Sequence, residues 1–410
     1  MAPNSLEPSA APSRPVRLAI EGGPPVRRTL LPYGRQSVSE EDVLAVVSAL
    51  CSDWLTTGPR VREFEEAFAQ FIGCREAVAV SSGTAALHAL LHSIGIRPGD
   101  EVLVPAMTFA ATANSARFLG AKPVFVDVDP DTLLMDPDRA GELVTPRTRA
   151  ILAVDYAGQP CDYRRLQELA RKHDLALLAD ACHSLGASSG GRPVGALALG
   201  SAFSFHPVKT MTTAEGGMVS TDDAELARRM RSFRNHGIVQ DHREREKAGL
   251  FAYEMRELGY NYRLTDLQCA LGISQLRRVR AWIARRQEIA RRYDAAFARL
   301  RTARPLAVRR GAGHAYHLYV LRLDLSLLRA DRARIFAALR AENIGVNVHY
   351  LPVHLHPYYR ETLGTGPGLC PVAESAYAEI LTLPIFPSMT EGDVEDVITA
   401  VNKVLDAHGT

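Results

Sequence analysis

Ser204-Phe205-His206-Pro207-Val208-Lys209, with Thr212-Thr213-Ala214-Glu215-Gly216-Gly217-Met218 directly behind it, carries the strongest chemical signal in the chain. An apolar stretch from Leu175 to Ala179 ends upstream in Asp180, 29 positions before the lysine (209 − 180 = 29). Most lysines are solvated surface charges. Lys209 instead sits among an aromatic residue, a proline and paired glycines, which argues against an ordinary surface position. A carboxylate at a strand end, and a lysine beyond a hydroxyl-bearing strand, are what a pyridoxal phosphate (PLP) enzyme needs. The lysine forms a Schiff base with the cofactor, and the carboxylate keeps the pyridine nitrogen protonated so that the ring accepts electrons.

Upstream of this stretch, helical and strand patterns alternate. Glu40 to Leu50, Val61 to Phe71, Ala85 to Ser93, Ala110 to Leu119 and Tyr163 to His173 read as helices. Ala77 to Val80, Glu101 to Val104, Pro123 to Val126, Ala150 to Val154 and Leu175 to Leu178 read as strands. Strands separated by helices of this length imply an α/β fold, with a mostly parallel central sheet covered by helices on both faces. Ligands gather at the carboxyl ends of such strands, where Asp180 and the turn Ser81-Ser82-Gly83-Thr84 both fall. Downstream, the charged, aperiodic stretch Ile238 to Met255 suggests a loop or lid. One long helical stretch, Thr265 to Leu300, leads to strand signals at His317 to Leu323 and Gly345 to Val348 and a helix at Arg332 to Glu342. These predict a smaller C-terminal α+β domain. The expected division is a leader and arm over 1–30, a large domain over 31–280 and a small domain over 281–410.

The 410 residues suffice for such domains, and 47% hydrophobic with 23% charged residues is ordinary for a globular protein. A net charge of +2, with arginines spread along helical stretches, does not point to a nucleic-acid partner. The densest basic segment, Arg277 to Arg292, contains Trp282 and Ile283 and reads as a helix face. Six scattered cysteines without metal-type spacing read as reduced thiols in a cytoplasmic protein. Met1 to Pro15 lacks a charged start and apolar core, so a disordered leader is expected rather than a signal peptide. No apolar run approaches the roughly 18 residues that span a bilayer, and no membrane partner is expected.

Other segments carry weaker signals. Ser and Thr in the 81–84 turn serve either as helix caps or, with the helix N-terminus, as a phosphate cradle. Phe109 after Thr108 suits either a core or a face against a cofactor ring. His183, three residues past Asp180, reads as structural or catalytic. Gly259-Tyr260-Asn261-Tyr262-Arg263-Leu264-Thr265-Asp266 opens a helix. His349, His354 and His356 crowd into eight residues that suit a substrate-contacting loop; no metal is expected there.

Taken in order, these segments resemble the DegT–StrS family of PLP-dependent sugar aminotransferases, a branch of fold-type I, from about Leu31 to the end of the chain. The blocks that carry the resemblance are Trp54-Leu55-Thr56-Thr57-Gly58-Pro59, Ser82 to Leu87, Thr108-Phe109, Asp180-Ala181-Cys182-His183, Ser204 to Gly217 and Gly259 to Asp266. The resemblance implies that Lys209 holds PLP and shuttles the proton, that Asp180 pairs with the pyridine nitrogen, and that Phe109 stacks on the ring. His183 would sit near the ring's 3′-oxygen. Gly83, Thr84, Ala85 and Ser204 would take the phosphate, with Asn261 reaching the cofactor of a neighbouring subunit in a homodimer with shared sites. Thr57, Arg263, His349, Tyr350 and His354 would meet the substrate.

Pro32-Tyr33-Gly34-Arg35-Gln36, Ala157 to Asp162, Phe205 to Lys209 and Val346 to Tyr350 are similar to the pseudaminic acid transaminase branch. That implies transfer of an amino group from L-glutamate to C4 of a nucleotide-linked 4-keto-6-deoxy sugar, in a ping-pong reaction. Asp155, Ala214 and His356 depart from the family, where histidine, glycine and glutamine are common. A glutamine-dependent aminotransferase acting on a keto-inositol is the alternative. A catalytically inactive regulatory homologue would have lost Lys209, Asp180 or the phosphate turn, and all three are present.

Overall fold

The computed structural model describes residues 17–238, 249 and 251–410. The stretch expected to form a loop or lid at Ile238 to Met255 therefore lies largely outside the described residues. Strands β1 (Glu76–Val80), β2 (Glu101–Pro105), β3 (Lys122–Val126), β4 (Thr148–Val154) and β5 (Ala176–Asp180) come first. A short hairpin, β6 (Ser188–Ser189) and β7 (Arg192–Pro193), stands apart from them. With β8 (Gly200–Ser204) and β9 (Gly217–Thr221), the first five form one sheet ordered β1-β9-β8-β5-β4-β2-β3. From β8 to β3 the neighbours run parallel, whereas β9 is antiparallel to both β1 and β8.

Every residue of β2 and β9 is buried, so both faces of the sheet are covered, as a parallel sheet requires. Seven α-helices lie among residues 17–238: α1 (Glu40–Leu50), α2 (Pro59–Ile72), α3 (Gly83–Ser93), α4 (Ala110–Phe118), α5 (Pro137–Glu142), α6 (Tyr163–His173) and α7 (Ala224–Phe233). Local chemistry sets several of their starts. Ser39 and Asp42 form a reciprocal cap on α1, Asp162 caps α6 and Asp223 caps α7.

A second apolar core lies toward the C-terminus. Strands β10 (Ala303–Pro305), β12 (Tyr319–Leu323) and β13 (Ile380–Leu383) form an antiparallel sheet, and β11 (Ala312–Gly313) pairs with β6. Side chains from the helices Val279–Phe297, Arg332–Ala341 and Glu391–His408 fill this core. Leu18 and Leu31 belong to it as well. Buried Glu342 ties the arm down by accepting the Ala19 and Val26 N–H groups, 2.9 Å each, while pairing with Lys403 at 2.8 Å.

Two expectations change, and one helix face is turned outward. The long helix predicted over Thr265 to Leu300 is two helices, Asp266–Leu276 and Val279–Phe297. Nothing in Leu276-Arg277-Arg278-Val279 breaks a helix locally; the break comes where Arg278 pairs with buried Asp42 of α1 and lies over the Trp282 ring. The strand predicted at Gly345 to Val348 is reduced to single bridges, Ile344 with Leu31 and Asn347 with Thr382. Finally, α1 turns its apolar stripe outward. Val43, Leu44, Val47 and Leu50 are exposed, while Asp42 and Ala49 are buried.

Ala214 gives a direct stability test. It stands where the resemblance leads one to expect glycine, and it sits exposed at φ 65°, where a Cβ is strained. Ala214→Gly should raise stability by about 1 kcal/mol, read as an increase in thermal midpoint. An unchanged midpoint would mean that the Ala214 N–H bond to Thr212 Oγ1, 3.0 Å, already absorbs the strain.

Candidate active site

The loop bearing Lys209 is closed at both ends. Phe205 is fully buried against Phe64, with ring centroids 5.5 Å apart, and Phe68, at 5.8 Å. Burying such a ring contributes roughly 1.5–3 kcal/mol, which anchors the start of the loop. Its carbonyl accepts from Thr212 Oγ1 at 2.9 Å and Thr213 N–H at 3.0 Å, and its own N–H donates to Gly216 at 2.9 Å. Lys209 is held in the arch between. Burial pushes its amine below the ordinary lysine range, against the opposite pull of Cys182 and Asp180. Among the described residues, no hydrogen bond or ion pair ties that amine down.

Asp180 ends β5 in register with Val154 of β4 and Ala202 of β8. Thr112 Oγ1 donates to its Oδ2 at 2.7 Å, and the Cys182 N–H reaches Oδ1 at 3.2 Å. Thr112 is in turn bonded to Thr108 Oγ1 at 2.7 Å. The carboxylate is thus oriented from α4 and from its own turn. Thr112 is a site residue that the sequence reading missed; its one signal is that it sits in the first turn of α4, four residues after Thr108, which lies just before that helix.

His183 is buried, and its Nε2 lies 3.1 Å from the Tyr350 hydroxyl. Burial, with positive charge from Lys209 and the nearness of His349, holds its pKa well below the usual histidine range. The ring is therefore neutral at physiological pH. Tyr350 also lies 5.9 Å from the ring of Phe109. Phe109 itself is 59% exposed at the mouth of α4, which leaves a face for a planar ligand.

At the α3 turn, a Cβ on Gly83 would stand 2.7 Å from the Ser204 Cβ, so only glycine lets these two segments meet. Ser82 caps the helix by accepting the Ala85 N–H at 3.1 Å. The Ala85 N–H, expected to face a phosphate, meets the Ser82 hydroxyl here. The N–H groups of Gly83 and Thr84 remain at a helix N-terminus beside Ser204, an arrangement suited to a phosphate.

The remaining expected residues divide. His349 is buried, hydrogen-bonded through Nδ1 to Thr382 at 2.8 Å, with its pKa lowered to about 4, chiefly by burial. His354 is fully buried, and its Nε2 meets Glu374 at 2.8 Å; it offers no surface to a substrate, contrary to expectation. Buried histidines satisfied by a neighbour look identical to open ones in a sequence. Asn261 is exposed, and Arg263 donates to Asn235 at 2.8 Å. Thr57 is exposed at the entrance of α2 with a left-handed backbone, φ 54°. Among the described residues, no hydrogen bond or ring contact joins Thr57, Asn261 or Arg263 to the Lys209 cluster.

Residues 36–402 match the DegT/DnrJ/EryC1/StrS aminotransferase family. The chain belongs to that family. It is 41% identical over 381 residues to the spore coat polysaccharide biosynthesis protein SpsC of Bacillus subtilis, covering 92% of this chain and 98% of SpsC. Among solved structures, Helicobacter pylori PseC, an aminotransferase involved in the biosynthesis of pseudoaminic acid, superposes with a TM-score of 0.87. Identity is 32%, with 92% of this chain and 100% of that chain covered. Spr1654 of Streptococcus pneumoniae, at 32% identity, superposes with TM-scores of 0.86 in its PLP form and 0.87 in its PMP form. These alignments cover 92% of this chain and 99% of that one. The fold is therefore fold-type I, the enzyme is a sugar aminotransferase, and its cofactor is PLP. Gly83 beside Ser204, the low-pKa lysine and the oriented carboxylate all fit that cofactor.

Proposed function

We propose that this aminotransferase moves an amino group from L-glutamate to C4 of a nucleotide-linked 4-keto-6-deoxy sugar, in two half-reactions at one site. The observation that carries the reading is the placement of Lys209 on the loop after β8 and of Asp180 at the end of β5, close enough for the carboxylate to act on the amine, within a family match spanning nearly the whole chain. The likeness to PseC supports the sugar.

Bound PLP supplies the electron sink that stabilises negative charge at the carbon losing its proton. Lys209 Nζ, pushed toward the unprotonated form by burial, would hold the cofactor and, when free of it, would take the proton from the donor's α-carbon. In the second half-reaction it returns a proton to the sugar carbon that receives the nitrogen. Asp180 holds negative charge at the floor, fixed by Thr112 and the Cys182 N–H. Neutral His183 and Tyr350 present a hydrogen-bonded edge, and Phe109 covers one face. Gly83, Thr84 and Ser204 would bind the phosphate. Incubating the purified enzyme with candidate keto nucleotide sugars and L-glutamate, and following 2-oxoglutarate, tests the assignment. Turnover with glutamine and a keto-inositol in its place would move the enzyme to the aminocyclitol class.

A homodimer with shared sites fits the exposed surface. The outward stripe of α1 and the exposed side chains Phe251, Met255, Leu258 and Tyr260 beside Asn261 are more apolar surface than a lone chain gains from showing. The division near residue 280 stays a proposal: the second core draws mainly on residues from Ile289 onward, while the first core also takes in Ala315, Leu318, Val353 and Tyr359. The six cysteines are all free, in keeping with a reducing cytoplasm. Leu44→Glu should shift the protein to monomer and cut activity at least about tenfold, because it places an unpaired carboxylate in an apolar contact. Light scattering coupled to gel filtration reads the mass. A dimer unaffected by Leu44→Glu would place the interface elsewhere.

A further inference from the structure

His317 belongs to none of the blocks that mark the site, yet its ring lies 4.4 Å from that of His183, tilted by 42°. Both rings are buried, and the Nδ1 atoms of both have no partner among the described residues. Such a contact between two buried histidines is held only if the backbones carrying them are fixed. Three features fix them. Gly158, at φ 100°, is wedged between the segments, and a Cβ there would stand 2.8 Å from the His183 carbonyl and 2.9 Å from the His317 N–H. The Ala315 N–H donates to Gly158 at 2.9 Å and the Leu318 N–H to Ala157 at 3.1 Å, on either side of His317. Buried Arg286, on the helix Val279–Phe297, donates through Nη1 to the carbonyls of Tyr316 at 3.1 Å, His317 at 3.4 Å and Ile385 at 2.7 Å.

We propose that His317 is a positioning residue of the cofactor pocket, bracing the His183 ring from the C-terminal side so that His183 keeps one orientation and its hydrogen bond to Tyr350. The inference rests on the reading of Lys209, Asp180 and His183 as that pocket. Without the His317 ring, the space it fills opens beside His183. His183 can then turn about its own side-chain bonds and lose Tyr350, whose ring connects it to Phe109. The role is one of shape, because the two rings meet as a tilted pair and no hydrogen bond joins them. A phenyl ring should therefore replace His317, and a small amide should not.

The test uses nitrogen-15 histidine spectra of the cofactor-free protein, together with PLP binding by fluorescence titration, for wild type, His317→Ala, His317→Phe and His317→Asn. Wild type and His317→Phe should show a single His183 tautomer and equal PLP affinity. His317→Ala and His317→Asn should show mixed His183 signals and a PLP Kd raised about tenfold, the loss expected when a group that orients a ligand-contacting side chain is removed. An Ala or Asn variant with the wild-type His183 spectrum and wild-type affinity would overturn the role. So would rescue by Asn with failure of Phe, since that would make it a hydrogen bond. Failure of the wild type itself to take up PLP would overturn the pocket reading instead.

Discussion

Lys209→Ala is expected to abolish steady-state turnover, by at least about 10³-fold, while leaving a folded chain that still binds PLP without a covalent link. On the proposed reading two functions are lost at once: the nucleophile that holds the cofactor and the base that moves the proton. Neither has a substitute nearby. His183 is committed to Tyr350, and His349 to Thr382. The fold should survive, because Phe205 and its hydrogen bonds to Thr212, Thr213 and Gly216 set the loop without help from the Lys209 side chain. Borohydride reduction followed by mass spectrometry should place the cofactor on residue 209 in wild type and on no residue in the variant. Small primary amines should restore part of the activity by supplying the missing base. A variant with full multiple-turnover activity would remove Lys209 from the chemistry.

Asp180→Asn should lower turnover by about 10²-fold, in the range for removing one preorganised charge from a site. Asparagine keeps the size of the side chain but not its charge. Its amide presents one oxygen where Thr112 Oγ1 and the Cys182 N–H now donate to two, so one of those donors must face an NH2 group. PLP should still link to Lys209, because the α3 turn, Ser204 and the lysine are untouched. A kcat loss with the visible cofactor band preserved is the expected pattern. A wild-type rate would mean that a different group keeps the pyridine nitrogen protonated.

The central sheet was legible because its parallel strands and helices are local in sequence. The bounds predicted for α1 and α6 agree with the structure, and β1 to β5 are placed within a few residues. Strand β9 was not read, since Gly217-Met218-Val219-Ser220-Thr221 carries only two large apolar residues and owes its place to β1 and β8. The placement of Lys209 in a buried arch, of Asp180 at a strand end and of Gly83 against Ser204 was legible because each needs a residue type that few environments tolerate. Thr112, His317 and Arg286 were not, because a common residue gains its role only from partners distant in sequence. The outward turn of α1 shows the same limit: periodicity marks an apolar face but not what covers it.

One measurement bears most directly on the account: the absorption spectrum of the purified protein with PLP, taken before and after adding L-glutamate. The account predicts a visible band from a lysine-bound cofactor that fades as a near-ultraviolet band rises, with one equivalent of 2-oxoglutarate formed per chain. A protein that takes up no PLP, or a visible band that L-glutamate leaves unchanged, would contradict it.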